Sequence, residues 1–284
     1  MMRQTIRRIL VAVDPSKSRD AAFDRALVLA RGSNVELYLI HVNPRRPVSR
    51  FADSGADLEL ERSEGERSRL GALVRSAKEE GVEVRVVTAQ GDDPARAIAA
   101  QAHLVMADLI VMSRDFGSSR VWRRSRVAAA VGRSPPVPVL IVPSQKPAPY
   151  PAETPFKKIV VAVDFTVASA VALRAATDLI AQNDGRGTAV HALSHASPMA
   201  FSGGEASGVI DDWRQRTARG EARLRRAIPA AASHRVKPRV LAGDAGQAIL
   251  DVAAEVYADL VVMGVPSRNR LGEWLFGSTF RKVV

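Results

Sequence analysis

Short apolar runs alternate along this chain with segments whose apolar positions recur at helical spacing. Ile9 to Val13 is such a run. The segment after it, Arg19 to Arg31, carries Ala22, Ala26, Leu29 and Ala30 at helical intervals, so the pattern predicts a strand followed by a helix. The same reading predicts a strand over 35–42 after the break at Gly32-Ser33-Asn34, a charged helix over 58–80, a strand over 82–88 and a helix over 94–103. A strand over 109–112, a helical stretch ending at Val131 and a short strand over 137–142 complete the series. Strands that alternate with helices pair in parallel through right-handed crossovers, so the expected unit is a three-layer α/β sandwich.

The pattern then repeats. Ile9-Leu10-Val11-Ala12-Val13-Asp14 returns as Ile159-Val160-Val161-Ala162-Val163-Asp164, and Ala107-Asp108-Leu109-Ile110-Val111-Met112 returns as Ala258-Asp259-Leu260-Val261-Val262-Met263. The chain is therefore read as two copies of one domain, and its 284 residues suit two single cores. Prolines at 143, 147, 149, 151 and 155 exclude a helix or a central strand between the copies. The expected division is a first domain over 1–143, an extended proline-rich linker over 144–155 and a second domain over 156–284.

Composition narrows the chemistry. The chain has no cysteine, which excludes disulfides, thiolate metal sites and a cysteine nucleophile. The basic start is followed by an apolar run too short for a signal segment, and no window approaches the ~18 apolar residues of a membrane span. A soluble, cytoplasmic protein is expected. A net charge of +11 invites a nucleic-acid reading, but the arginines are scattered, aromatic residues make up only 5%, and no nucleic-acid-binding motif appears. A general attraction for phosphates is the better inference from the charge.

The order of motifs, a strand ending in Val-Asp, a strand ending near Val42, Gly91-Asp92-Asp93-Pro94 and Ala-Asp-Leu-Ile-Val-Met, resembles the universal stress protein family in its tandem form. The resemblance covers nearly the whole chain, twice. It implies two Rossmann-like parallel sheets of strand order 3-2-1-4-5, frequent dimerisation and, in some members, ATP binding through Gly-x-x-Gly-x9-Gly-[Ser/Thr] after the fourth strand. Glycines in such a loop let backbone N–H groups approach phosphates, and a hydroxyl at a helix N-terminus adds a donor.

The two copies answer that signature differently. In the second, Gly264, Gly277 and Ser278 stand in register, followed by Thr279, while Ser267 replaces the second glycine and Arg268 and Arg270 lie close by. A plain strand-to-helix turn with Ser278 as N-cap is the competing reading. Trp274 and Phe276 read as apolar anchors. In the first copy the same register gives Ser113, Phe116 and Arg126-Val127, so ATP binding is not expected there. Arg114, Arg120, Arg123, Arg124 and Arg126 form either a solvated face or a docking surface for an anion or acidic partner.

By the same resemblance Asp164 contacts adenine or ribose, Ala162 and Val163 line the adenine pocket and Met263 belongs to the nucleotide-binding set, while the Gly243-Asp244 turn either borders the ligand or is a simple strand-end turn. Asp14 is the counterpart of Asp164, although Asp14-Pro15-Ser16 is also an ordinary helix entry. The strand over 188–195 contains His191 and His195; both read as structural, and which residue matches the end of the first copy's strand stays open. Ser202-Gly203-Gly204-Glu205 is rejected as a phosphate loop because it does not follow a first strand.

The catalytic inventory is thin: no nucleophile elbow, metal cluster or acid/base carboxylate pair is apparent, so at most slow ATP hydrolysis is expected. The second copy stops at Arg281-Lys282-Val283-Val284, within the helix that precedes the fifth strand in the first copy. That strand is expected to be absent, leaving the fourth as a sheet edge that is either truncated or covered by another chain. The functional expectation is a cytoplasmic ATP-binding stress sensor or adaptor with its nucleotide site, ATP with or without Mg, in the second domain only. A protein partner or a second copy would accompany it. The alternatives are a nucleotide-independent pseudo-dimeric scaffold and a slow ATPase.

Overall fold

A strand with apolar residues on both faces needs cover on both, and each half of the chain supplies it. The computed structural model describes residues 6–14, 20–43, 55–114, 127–133, 135–143, 156–193, 206–265 and 277–284. The linker over 144–155, the first copy's basic segment over 115–126, the loop over 202–205, His195 and the segment over 266–276, with Ser267, Arg268 and Arg270, lie outside the described residues. The chain divides into two units, Met1–Glu153 and Thr154–Val284.

Unit 1 runs β1 (Arg8–Ala12), α1 (Ala21–Ala30), β2 (Glu36–Asn43), α2 (Gly55–Glu79), β3 (Val84–Gln90), α3 (Pro94–Leu104), β4 (Leu109–Ser113), α4 (Val127–Arg133) and β5 (Val139–Val142). Its five strands are parallel in the order β3-β2-β1-β4-β5. Side chains alternate across the sheet. Ile9, Val11 and Val13 pack against α1 and α2 through Ala22, Ala26 and Leu70, while Leu10 and Ala12 pack against α3 and α4 through Ile98, Ala102 and Val131.

Unit 2 repeats the plan with β6 (Lys158–Ala162), α5 (Val167–Gln182), β7 (Arg186–Leu193), α6 (Ala206–Ala227), β8 (Val236–Ala242), α7 (Ala245–Glu255), β9 (Leu260–Val262) and α8 (Gly277–Val283). Its sheet is parallel in the order β8-β7-β6-β9, and among the described residues it lacks the fifth strand, as the sequence led us to expect. The consequence shows in β9. Leu109–Ser113 of β4 is wholly buried beside β5, whereas Leu260–Val262 is shorter and only half-buried.

The element limits differ from the sequence pattern at informative places. The first helix begins at Ala21 rather than Arg19 because the Asp20 carboxylate accepts from the N–H groups of Ala22 and Phe23 as its N-cap. Strand β8 runs from Val236 across Pro238, which is tolerated because β8 is an edge strand and the missing proline N–H costs no ladder bond on its outer side. The repeated Ala-Asp motif receives a structural explanation. Asp108 accepts from the N–H groups of Arg7 and Arg8 at 2.8 and 3.0 Å, and Asp259 accepts from those of Lys157 and Lys158 at 2.8 and 3.0 Å. Each carboxylate thus fastens the entry of the central strand to the entry of its neighbour.

The copies also exchange volume across one contact. The chain between the paired strands is equally long in both units, since Ala12 pairs with Ile40 and Ala162 with Val190. Ala30 and Leu37 of unit 1 therefore correspond to Ile180 and Gly187 of unit 2. A Cβ on Gly187 would meet Ile180 Cδ1. Gly187→Leu is expected to destabilise unit 2 by about 1–3 kcal/mol, and adding Ile180→Ala to recover part of the loss, as read from urea denaturation of the single and double variants.

Candidate functional site

The carboxyl end of β6 forms a corner with the end of β9, because the two strands are neighbours in the sheet. Ala162 ends β6, and Val163, which is buried, still belongs to the ladder through its N–H to the Val190 carbonyl at 2.8 Å. Asp164 follows and is exposed. Its Oδ1 accepts from the Thr166 N–H at 3.0 Å and from the Thr166 hydroxyl at 2.6 Å. Thr166 in turn caps α5, its Oγ1 accepting from the Ser169 N–H at 3.2 Å. Burial pushes the Asp164 carboxyl up, but the hydrogen bonds from Thr166 and Ser169 outweigh it and hold the group below its ordinary 3.8. Asp164 is thus an ionised acceptor at the end of the central strand.

Met263 and Gly264 leave β9 beside this corner. A Cβ on Gly264 would lie 2.4 Å from both the carbonyl carbon and oxygen of Ala168 and 2.6 Å from the Ser169 nitrogen. Glycine is needed here because the chain presses on the first turn of α5. Unit 1 tolerates Ser113 at the corresponding position, and its α1 starts about one turn later than α5 does. The sequence rationale for Gly264, an approach to phosphate, is therefore joined by a packing reason that needs no ligand.

Phe165, between Asp164 and Thr166, has φ +64°, a left-handed conformation that a bulky residue adopts only when its surroundings hold it there. Its ring lies 4.5 Å from the His191 ring and 4.0 Å from the Arg223 guanidinium carbon. The His191 Nδ1 lies 2.8 Å from the Val163 carbonyl oxygen. Strand register aligns His191 with His41, which answers the question the sequence left open. Sequence reading had singled out neither Phe165 nor Arg223, because their contact joins a loop to a helix far along the chain.

The other expected site residues fall further out. Gly243, at φ +108°, ends β8 and donates its N–H to the Leu193 carbonyl at 2.9 Å. In the sheet order β8 is separated from β6 by β7. Asp244 caps α7 by accepting from the Gln247 N–H at 2.8 Å, and it pairs with Lys282 of α8 at 3.0 Å. Those two groups hold its carboxyl below the ordinary value. A Cβ on Gly246 would meet the Lys282 side chain at 2.9 Å, so α8 lies tight against the first turn of α7. Gly277, Ser278 and Thr279 open α8; Ser267 and Arg268 lie outside the described residues. Among the described residues there is no group of three or more His, Cys, Asp or Glu suited to a metal, and no helix long and apolar enough to cross a membrane.

Two outcomes follow from this corner. Gly264→Ala should lower stability by about 1–3 kcal/mol in chemical denaturation, since the new methyl meets backbone. Thr166→Val should raise the Asp164 titration midpoint, followed by NMR of its carboxyl carbon. In the native chain the stability contributed by Asp164 is present above its ordinary pKa and is lost as pH falls through the lower folded value.

A sequence model of the universal stress protein family matches residues 5–143 and again residues 155–284. Among solved structures, a universal stress protein from Archaeoglobus fulgidus DSM 4304 matches 97% of this chain and 91% of its own at 19% identity, with a TM-score of 0.65. One from Pseudomonas aeruginosa UCBPP-PA14, assigned to the same family, matches 99% and 90% at 21% identity, with a TM-score of 0.63. Both likenesses concern the fold. A universal stress protein from Archaeoglobus fulgidus in complex with dAMP covers 48% of this chain with a TM-score of 0.34, too loose a match to locate a ligand here. No curated protein matches the chain. Two successive matches to the family's sequence, on two sheets that share one strand order, make the chain a tandem member of the universal stress protein family.

Proposed function

We propose that the second unit binds an adenine nucleotide, ATP with or without Mg, and that the chain serves as a cytoplasmic ATP-responsive stress sensor or adaptor. The observation that supports this reading is the pairing of β6 with β9, which sets the ionised Asp164 beside Met263 and Gly264 at the carboxyl ends of a parallel sheet. The residues present suit such a ligand. A carboxylate has about four acceptor positions, so Asp164 can receive ribose hydroxyls besides the bonds from Thr166. Ala162, Val163 and Met263 offer apolar contact to a base. The backbone N–H groups of Gly277, Ser278 and Thr279 in the first turn of α8 are the donors for phosphate, with Ser267 and Arg268 completing the loop.

Gly264 carries less of this reading than Gly277-Ser278 does, because its glycine is already required by the contact with Ala168. Gly243 acts at a distance, through the Asp244–Lys282 pair that secures α8. Unit 1 has Ser113 and Arg126-Val127 at the positions of Gly264 and Gly277-Ser278, and is the unit that does not bind. A bound nucleotide alters the surface around Gly264 and the first turn of α8, and so biases what a protein partner or a second copy reads.

Calorimetric titration of the full chain with Mg-ATP should give one site. Gly277→Arg should abolish it while leaving the thermal transition in place. Absence of binding by the unmutated chain would sink the sensor reading in favour of a nucleotide-independent scaffold.

A further inference from the structure

A cavity of about 490 Å3 opens between α5 and α6, beside the end of β6. That size is in the range that accepts small organic ligands. Val163, Ala170, Leu173 and Ala227 give it an apolar lining, and Thr166 and Ser169 add hydroxyls. Its charged residues are Arg174, Arg223 and Arg226, and no Asp or Glu lines it. Arg223 is held over the Phe165 ring, and Arg226 donates Nε–H to the Ala222 carbonyl one turn back at 3.2 Å. These contacts anchor two of the guanidinium groups near the apolar lining.

Unit 1 is an internal control for this basic character. By the equal chain length between paired strands, Ala170 and Arg174 stand where unit 1 has Asp20 and Asp24. Two carboxylates in one copy are thus replaced by a methyl group and a guanidinium in the other. Asp20 is buried and engaged with backbone, accepting from Ala22, Phe23 and Asp14. At the same place in unit 2, Ala170 lines open space. The strained backbone of Phe165 belongs to the same feature, since it sets the ring where Arg223 stacks.

We infer that the α5–α6 groove of unit 2 is a binding site for a phosphate monoester with an apolar body. Arginine forks match phosphate oxygens in charge and geometry, and three of them suit a dianion better than a single carboxylate. The apolar lining suits a hydrocarbon or aromatic body better than a sugar. The groove shares Val163 with the proposed base contact but takes its charged groups from α5 and α6, whereas the nucleotide reading takes its polar groups from Asp164 and the first turn of α8; the two sites are therefore separated by the test below.

The test is calorimetry on the full chain with 1-naphthyl phosphate, using 1-naphthol as the body alone and inorganic phosphate as the head alone. The ester should saturate one site, with both fragments at least about tenfold weaker. Ala170→Asp combined with Arg174→Asp, which restores the side chains of unit 1, should weaken the ester about tenfold or more, and so should Arg223→Gln, each checked for an unchanged circular dichroism spectrum. Saturating Mg-ATP and the Gly277→Arg change should each leave ester binding within about twofold. No saturable binding, equal affinity in these folded variants, or competitive displacement by Mg-ATP would each overturn the proposal; the last would make the groove part of the nucleotide site.

Discussion

The central strand of each unit is sealed on both faces, and the rest of the molecule follows from that. Ile9, Leu10, Val11 and Ala12 have no exposed surface, and Ile159, Val160 and Val161 have almost none. Beyond its charged first residue, Arg8 or Lys158, such a strand is apolar throughout, so it carries no chemistry along its length. Polar groups can appear only where it stops. At one end, Asp108 and Asp259 secure backbone N–H groups at the entry of the central strand. At the other, Asp14 and Asp164 mark the carboxyl ends, where ligands of parallel sheets are received. Two aspartate motifs equally conspicuous in the sequence thus have different places, one at the entry of the central strand and one at the turn into the helix that follows it.

Several differences between the copies meet at that second end. Unit 1 spends a buried carboxylate, Asp20, on capping a helix that starts late. Unit 2 uses Thr166 to start α5 about a turn earlier, and this extra turn is what Gly264 must clear. A single change in helix entry therefore reaches three places: the ionised Asp164, the close approach of the β9 exit and the groove lined by Arg174 and Arg223.

The strands and their order were legible because apolar alternation and the Ala-Asp repeat are local signals, and the four-stranded sheet that the described residues of unit 2 form was legible from the copy that has five. The corner was legible in part. Asp164 and Gly264 were read as parts of one site, and the pairing of β6 with β9 brings their strand ends together, but the packing of Gly264 on Ala168, far off in sequence, leaves no local trace. The stack of Arg223, Phe165 and His191 escaped for the same reason: its members lie on a helix, a turn and a strand far apart in sequence. His191 could be matched to His41 only once strand register was known.

The exchange of volume between Ala30–Leu37 and Ile180–Gly187 bears on the history of a duplicated gene. Repeats of this kind invite recombination between their halves. A crossover falling between helix and strand would set Ile180 against Leu37 in one product and Ala30 against Gly187 in the other. The first core would be overfilled and the second would hold a void. A compensated pair of this sort makes the two copies mutually incompatible in their parts, and so opposes the averaging of their sequences into one.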